Sequence, residues 1–260
     1  MSVLVFDIET VPDVASGHRL YGLEGRGDAD VAKAMFHLRG QETGNEVLRL
    51  HLQRVVATFA VSRSGDTFKV WSLGDIDADE KEILQRFVDA TDRHTPTLVS
   101  WNGNGFELCV IHYRSLLPGI SAPRYWATGE EDPSCKWNNC LSRHHGRHTD
   151  VMDVLAAYNP RANAPLDHIA ILIGVPGKMG RYGSKVWEHY LQGDIGGILD
   201  DCEADVLNTY LVYLRFELIR GRTGEQACAA ELDLMRESLR QEARPHLEAF
   251  VNAWRSAQQD

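Results

Sequence analysis

The chain has 260 residues, of which 43% are hydrophobic and 25% are charged, and its formal net charge is −10. This length allows one large α/β domain or two small ones, and the composition is typical of a globular protein with a substantial core. No apolar run approaches the ~20 residues needed to cross a bilayer, which excludes a membrane-spanning chain, and the negative charge argues against a protein that grips nucleic acid over its whole surface.

The first half of the chain predicts the strands of a sheet with helices between them. Residues 2–9 form a β-rich run whose side chains alternate between two faces, with Leu4, Phe6 and Ile8 on one and Val5, Asp7 and Glu9 on the other. The next segments predict a helical region at 13–50 and a hairpin around Gly65, formed by 54–63 and 67–73. A helix at 77–93, a strand at 97–102 and a second helix at 106–117 follow. This order favours an α/β fold with a mixed central β-sheet flanked by helices.

The second half of the chain is mainly helical. An irregular stretch is followed by segments with helical spacing at 148–158, 166–175, 198–221 and 223–256. Gly221 is a suitable terminator for the third of these helices. We therefore expect one domain over residues 1–221 and a helical C-terminal extension over residues 222–260.

Cysteine usage predicts the compartment. The chain has five cysteines, an odd number, and none of them form a C-x-x-C pair. A disulfide framework or a zinc knuckle is therefore not expected, and the first residues lack the basic region and cleavage site of a signal peptide. We expect a cytoplasmic protein with no membrane partner.

The first chemical signal is the pair Asp7 and Glu9 near the end of the first predicted strand. Residues at i and i+2 on a strand share one face, so both carboxylates point the same way. Such a pair can hold a hard divalent cation, because Mg²⁺ and Mn²⁺ prefer oxygen ligands. The alternative is a solvated strand face that is acidic without function.

Two further acidic motifs lie far along the chain. Glu107 follows a sharp glycine turn and falls in the first turn of a predicted helix, where the helix dipole favours a carboxylate. Asp201 and Asp205 are one helical turn apart and face the same way, an arrangement that makes more sense with a cation opposite them. Glu203 points elsewhere, and we expect it on the surface. The alternative for Glu107 is an ordinary glycine turn followed by an acidic residue.

Together these segments resemble a known family. FDIET at 6–10, NGNGFE at 102–107 and DCEADVLNTY at 201–210 are similar, in motif and order, to the three exonuclease motifs of the DEDD superfamily. The likeness is to the branch of predicted 3′–5′ exonucleases similar to family-B DNA polymerase proofreading domains, and it covers roughly residues 1–220. It implies a ribonuclease H-like fold and an enzyme that releases nucleoside 5′-monophosphates.

The resemblance also implies a cofactor and ligand roles. Two divalent cations, Mg²⁺ or Mn²⁺, would clamp the scissile phosphate. Asp7 would bridge both, Glu9 and Asp205 would hold one, and Glu107 would hold the second. The catalytic set is then Asp7, Glu9, Glu107, Asp201 and Asp205.

The sequence departs from the family at two of these positions. The family has aspartate where this chain has Glu107, and tyrosine where it has Asp201. The longer side chain of Glu107 can slow a reaction, and Asp201 can act as a general base or bind metal itself. The alternative function is therefore a catalytically degenerate module that binds nucleic acid, or one that binds a protein partner through the C-terminal helices.

Basic and aromatic residues predict how a single-stranded 3′ end, of DNA rather than RNA, is held. Residues 136–148 combine cations with aromatic rings, a mixture that suits single strands, although a solvated loop is an equal alternative. A second basic group is Lys178, Arg181 and Lys185. The histidines near 144–148 lack the spacing of a zinc site. The expected substrate-binding residues are Thr10, Trp101, Asn102, Phe106, Lys136, Arg143, Arg147 and Lys178, with His148 and Asp150 in support.

Overall fold

One mixed sheet organises the chain. The computed structural model describes residues 2–130, 132–179 and 185–257. Within these ranges the strands are β1 Ser2–Pro12, β2 Gln53–Ser64, β3 Thr67–Ser72, β4 Thr97–Ser100 and β5 His148–Asp150. They lie in the order β3-β2-β1-β4-β5, in which β2 pairs antiparallel with both β3 and β1, and β4 pairs parallel with both β1 and β5. The predicted mixed central sheet is confirmed.

Helices cover both faces of this sheet. In chain order the described residues form α1 Val14–Tyr21, α2 Asp28–Thr43, α3 Glu80–His94, α4 Glu107–Ser115, α5 Pro123–Trp126, α6 Val151–Leu155, α7 Leu166–Leu172, α8 Val186–Leu191, α9 Ile195–Ile219, α10 Glu225–Gln241 and α11 Pro245–Ala257. Not one of these helices combines the length and the apolar character that a membrane span requires.

The alternation of β1 divides the core in two. Leu4, Phe6 and Ile8 face one cluster, formed with the apolar sides of α3 and α4. Val3 and Val5 face the other cluster, which contains the buried stripe of α9. Because β1 is central and buried on both faces, a charged side chain on it is unusual and needs a compensating partner. Asp7 and Glu9 are such side chains, and they share the α9 face with Val3 and Val5.

Two predicted boundaries needed correction. The predicted helix 148–158 is wrong at its start, because residues 148–150 form β5, where Leu98 pairs with His148. A strand of three residues is too short to show alternation in a sequence. The helical region 13–50 consists of two helices, and α1 ends at Gly22, whose φ of 62° is left-handed.

The two C-terminal helices pack against α9, and α10 also contacts β3. Met235 and Leu239 of α10 and Phe250 and Trp254 of α11 are buried in the same cluster as Val5. Gly221, with φ of 73°, follows the end of α9 as expected. The extension predicted from residue 222 is therefore helical and in contact with the core, and its boundary as a separate unit stays a prediction.

Candidate active site

Carboxylates from three distant segments meet at one place. Asp7 and Glu9 project from β1 toward α9, which contributes Asp205, and Glu107 begins α4. The Asp205 charge raises the pKa of Asp7 and the Glu107 carboxyl lowers it, so both side chains lie close to Asp7. Four of the five predicted catalytic carboxylates are thus brought together. The parallel pairing of β1 with β4 explains this, since α4 starts from the end of β4 that lies beside Asp7.

Asp201 lies near the same cluster on the preceding turn of α9. Its charge raises the pKa of Glu9 and of Asp205, so it faces their side of the helix. It is partly exposed and lines a small cavity with Met179 of the neighbouring loop. The prediction that Asp201 and Asp205 face the same way is consistent with this placement.

The cluster is electrostatically strained when no cation is bound. Burial raises the pKa of Asp7 to about 7, and Asp205 adds to the rise. Burial, followed by the Asp7 charge, also raises the pKa of Glu9 and of Glu107 well above its usual range. Burial raises the pKa of Asp205, although the cation of Lys178 opposes the rise. Protons or cations are needed to hold so many carboxylates together.

The donor set fits a hard divalent cation. Glu107 is 5% exposed, and its Oε2 atom has no hydrogen-bond partner among the described residues. A buried carboxylate oxygen of this kind is costly unless something binds it. Carboxylate oxygens from Asp7, Glu9, Glu107 and Asp205 match the ligand preference of Mg²⁺ and Mn²⁺. These four residues are therefore suited to hold the metal that the sequence predicts.

A glycine turn places Glu107. Asn102 is left-handed, with φ of 76°, a conformation that asparagine tolerates. A Cβ on Gly103 would lie 2.1 Å from Ser100 Oγ, and one on Gly105 would lie 2.3 Å from Asn102 Oδ1. A side chain at residue 103 would clash with Ser100, including its Cβ, and one at residue 105 would displace the Asn102 side chain, because the chain folds back tightly between β4 and α4.

His148 and Asp150 brace this turn from β5. The backbone N–H groups of Asn102 and Asn104 donate to the Asp150 carboxylate at 3.0 and 2.9 Å. His148 Nε2 hydrogen-bonds to Ser100 Oγ at 2.8 Å, and burial lowers the pKa of His148 to about 4, which keeps it neutral. Their contacts fit the supporting role expected for them.

We expect Asp150→Ala to destabilise the protein by about 2–4 kcal/mol, because it leaves buried N–H groups unpaired. Asp150→Asn keeps one acceptor oxygen and should cost less. Thermal unfolding of the two variants measures the difference. Equal melting temperatures for Asp150→Ala and the unmodified protein would show that the turn does not depend on this carboxylate.

A second loop brings a lysine to the cluster. Lys178 Nζ lies 3.6 Å from Asp205 Oδ2, and the Lys178 backbone N–H donates to Asp167 Oδ1 at 2.6 Å. Asn208, one turn after Asp205, donates to the Gly177 carbonyl at 2.6 Å and accepts from the Gly177 N–H at 3.2 Å. The loop is thereby fastened to α9, which holds the lysine beside the carboxylates.

The other predicted contact residues near the motifs have structural partners. Thr10 Oγ1 donates to Gln53 Oε1 at 3.0 Å, next to a register shift between β1 and β2. Trp101 packs against the α9 cluster and Phe106 against the α3 cluster, and both are partly exposed. All three are close in sequence to the site carboxylates, and their structural contacts leave each of them partly exposed.

The basic loop before β5 is less directly placed. Arg143 pairs with Asp153 and lies over the Tyr158 ring, while Lys136 lies over the exposed Trp137 ring. The Arg147 carbonyl accepts the N–H of Leu98, which ties the loop to the first part of β4. Asp150 stands at the opposite end of β5. A nucleic-acid strand bound by this loop would therefore have to run along β5 to reach the carboxylates. Of the second basic group, Arg181 lies outside the described residues.

The expectation for Glu203 is wrong. Its side chain is fully buried, and both of its oxygens are bound from α11 and the residues before it, by Arg244 at 2.5 Å and by His246. His246 also contacts Asp200 at 3.1 Å. Glu203 is buried because the C-terminal segment covers this face of α9, and the Arg244 cation compensates its charge.

Two residues of the site were not predicted from the sequence. Asn208 fastens the lysine loop, and Cys202 lies with its sulfur 4.0 Å from Asp7 Oδ2. Both stand inside the third motif, and their spacing from Asp205 would place them on neighbouring turns of the helix. The helical spacing could have shown that both residues lie near Asp205. It does not show which other segment of the chain packs against that face of the helix.

Comparisons with known proteins identify the family of this chain. Residues 45–254 match the model of a family described as predicted 3′–5′ exonucleases related to the exonuclease domain of PolB. The match includes Glu107 and Asp205 and begins after Asp7 and Glu9. No curated protein matches the chain.

Among solved structures, the fold is similar to that of the family B DNA polymerase from the hyperthermophilic archaeon Pyrobaculum calidifontis, with a TM-score of 0.50 and 16% identity. The likeness covers 84% of this chain and 24% of the polymerase, so the chain spans about a quarter of that protein's length. At this identity the similarity concerns the fold alone, which is the ribonuclease H-like arrangement expected from the motifs.

Proposed function

The chain belongs to the family of predicted 3′–5′ exonucleases related to the exonuclease domain of PolB, and on that premise we propose that it removes nucleotides from the 3′ end of a single strand. The strand is DNA in preference to RNA, and the products are nucleoside 5′-monophosphates. The observation that carries this proposal is the convergence of Asp7, Glu9, Glu107 and Asp205 on one partly open site.

Divalent cations held by these four carboxylates, Mg²⁺ or Mn²⁺ and two in number, would polarise the scissile phosphate and acidify the attacking water. The Glu107 carboxyl, which lies beside Asp7, would be one of the ligands of these ions. Lys178, 3.6 Å from Asp205, offers a positive charge to a phosphate oxygen at the edge of the cluster. The charge of the four carboxylates and the lysine then balances that of the bound substrate and ions.

Asp201 takes the place of the tyrosine that the family has at this position. Its charge acts on Glu9 and Asp205 and its side chain is partly exposed, which supports a role in orienting a water molecule and accepting its proton. The water oxygen bonds to phosphorus, the bond to the 3′-oxygen of the preceding nucleotide breaks, and that oxygen takes up a proton. A strand one nucleotide shorter and a 5′-monophosphate result.

Substrate would reach this site along the edge formed by the glycine turn. Trp101 and Phe106 flank the turn and are both partly exposed, which suits stacking against the terminal bases. Asn102 and Thr10 would add polar contacts to the terminal nucleotide. The loop with Lys136, Arg143 and Arg147 would contact phosphates further from the 3′ end. A cytoplasmic location stays a prediction.

The test uses a single DNA strand labelled at its 5′ end, with Mn²⁺ present. We expect stepwise shortening by the unmodified protein and a loss of at least about 10²-fold in rate for Asp205→Asn, which removes a ligand. Asp89→Asn makes the same chemical change on the exposed face of α3 and serves as the matched control.

The other outcomes separate the alternatives. Retention of the strand without shortening would support a module that binds nucleic acid but does not cut it. If the protein neither binds nor shortens the strand, the protein-interaction role is the alternative that remains. Faster shortening of an RNA strand of the same sequence would overturn the preference for DNA.

A further inference from the structure

A sulfur atom lies among the oxygen ligands of the proposed centre. Cys202 is fully buried on α9, three residues before Asp205. Its Sγ atom and one carboxylate oxygen each of Asp7 and Glu9 all lie within 4.8 Å of one another. The centre therefore offers a mixed oxygen and sulfur donor set in addition to the all-oxygen set.

The separation of these atoms suits a metal with a sulfur ligand. Zinc bonds of about 2.3 Å to sulfur and about 2.1 Å to oxygen place the two atoms about 3.6 Å apart at a tetrahedral angle. The distance from Cys202 Sγ to Asp7 Oδ2 is 4.0 Å. A rotamer adjustment of a few tenths of an ångström would therefore bring both atoms into coordination distance.

A second observation points to a cation at this place independently of the cysteine. Glu107 is more than nine-tenths buried, and its carboxyl lies beside Asp7. Its Oε2 atom has no hydrogen-bond partner among the described residues. A buried oxygen without a partner beside Asp7 indicates a ligand position. It does not by itself decide between a hard and a soft ion.

Whether the site prefers a hard or a soft ion depends on Cys202, because a thiolate is a soft ligand. Mg²⁺ requires near-octahedral oxygen ligands and gains nothing from a thiolate. Zinc and the still softer cadmium bind thiolates strongly, and an Asp, Glu and Cys set gives them three protein ligands with room for a fourth. The thiol proton passes to solvent as the metal–sulfur bond forms.

We propose that Cys202 gives this centre a second, thiophilic mode, in which Zn²⁺ or Cd²⁺ is bound by Asp7, Glu9 and Cys202 and excludes Mg²⁺ or Mn²⁺. Binding itself is independent of catalysis, and only the consequence that such an ion blocks hydrolysis rests on the proposed function. The other described cysteines, which are Cys109, Cys135, Cys140 and Cys228, belong to neither of the mixed donor clusters found in the described residues.

Cadmium is the probe, because a sulfur–cadmium bond absorbs in the ultraviolet. Metal-free protein is titrated with Cd²⁺ in the absence of nucleic acid, and the affinities for Cd²⁺ and Mn²⁺ are measured by calorimetry. We expect the absorption band in the unmodified protein and in Cys228→Ser, and its loss in Cys202→Ser. The ratio of Cd²⁺ to Mn²⁺ affinity should fall at least about tenfold in Cys202→Ser, as is usual when a metal site loses a supporting group.

Three results would overturn the proposal: no band in the unmodified protein, the same band in Cys202→Ser, or an unchanged affinity ratio. Cys202→Ala, checked by thermal unfolding, replaces Cys202→Ser if the serine variant does not fold. A protein that binds Cd²⁺ through Cys202 but shortens no strand would contradict the proposed function alone, so the two failures are distinguishable.

Discussion

Asp7→Asn is expected to abolish metal-dependent shortening of a DNA strand and, at the same time, to raise the melting temperature of the metal-free protein at pH 8. Both effects have one cause, which is that Asp7 stands in a buried cluster with Glu107 and Asp205. Asparagine keeps the shape but removes the charge. Metal-ligand loss removes activity by at least about 10²-fold, while the loss of repulsion stabilises the fold.

The gain in stability should depend on pH in a defined window. The pKa of Asp7 is about 7 in the folded protein, against an ordinary value of 3.8 when unfolded. A raised folded pKa means that the aspartic acid contributes stability below about pH 4, which is lost progressively as the pH rises through 7. Asparagine resembles the protonated acid at every pH. The two proteins should therefore be equally stable at pH 4 and diverge up to pH 8.

The expected difference at pH 8 is on the order of 2 kcal/mol, because the partial exposure of Asp7 reduces the full linkage energy. For a chain of this size that is roughly 4–8 °C in melting temperature. Adding millimolar Mg²⁺ or Mn²⁺ should raise the melting temperature of the unmodified protein and leave Asp7→Asn almost unmoved. Asp66→Asn, in the exposed hairpin turn, is the control for the chemical change.

Differential scanning calorimetry between pH 4 and 8 measures these curves. A melting temperature of the unmodified protein that does not respond to either metal contradicts metal binding at this site. A constant difference between the two proteins across the pH range contradicts the raised pKa of Asp7.

Local patterns predicted the part of the site that depends on local geometry. The two faces of β1 follow from alternation, so Asp7 and Glu9 were correctly placed on one side of a strand. The turn before Glu107 follows from its glycines, and the common side of Asp201 and Asp205 follows from helical spacing. Each of these inferences uses residues within one turn or one strand of each other.

The errors concern contacts between distant residues. Glu203 was expected on the surface, yet Arg244, just before α11, and His246 in α11 bind its carboxylate and bury it, from 41 and 43 residues away. Nothing in the spacing of α9 shows which of its faces another helix will cover. Cys202 has the same difficulty, because its partner Asp7 is 195 residues away. β5 was missed for a different reason, since three residues carry too little pattern.

The largest expected loss of stability comes from Arg114→Met. Arg114 is 4% exposed and forms two hydrogen bonds with Glu80, at 2.8 and 2.6 Å, and one with Asp13 at 2.5 Å. Burial alone would raise the pKa of Asp13, but hydrogen bonds from Ser16 and Arg114 outweigh it and lower the pKa. Removing the cation leaves two carboxylates without compensation, which costs about 3–5 kcal/mol. The control is Arg86→Met, whose surface ion pairs contribute roughly 1 kcal/mol or less.

The same substitution should weaken catalysis at a distance, because Arg114 joins the two elements that carry the proposed metal ligands. Asp13 follows the end of β1, and Arg114 stands on α4, whose first residue is Glu107. A displacement of about 1 Å between these elements can cost on the order of 10²-fold in rate. Adding Asp13→Asn and Glu80→Gln to Arg114→Met removes the stranded charges and should recover most of the stability. Activity should recover less, since the neutral residues no longer fix α4 against β1. Full recovery of both in the triple variant would show that the buried charges affect stability without setting the geometry of the site.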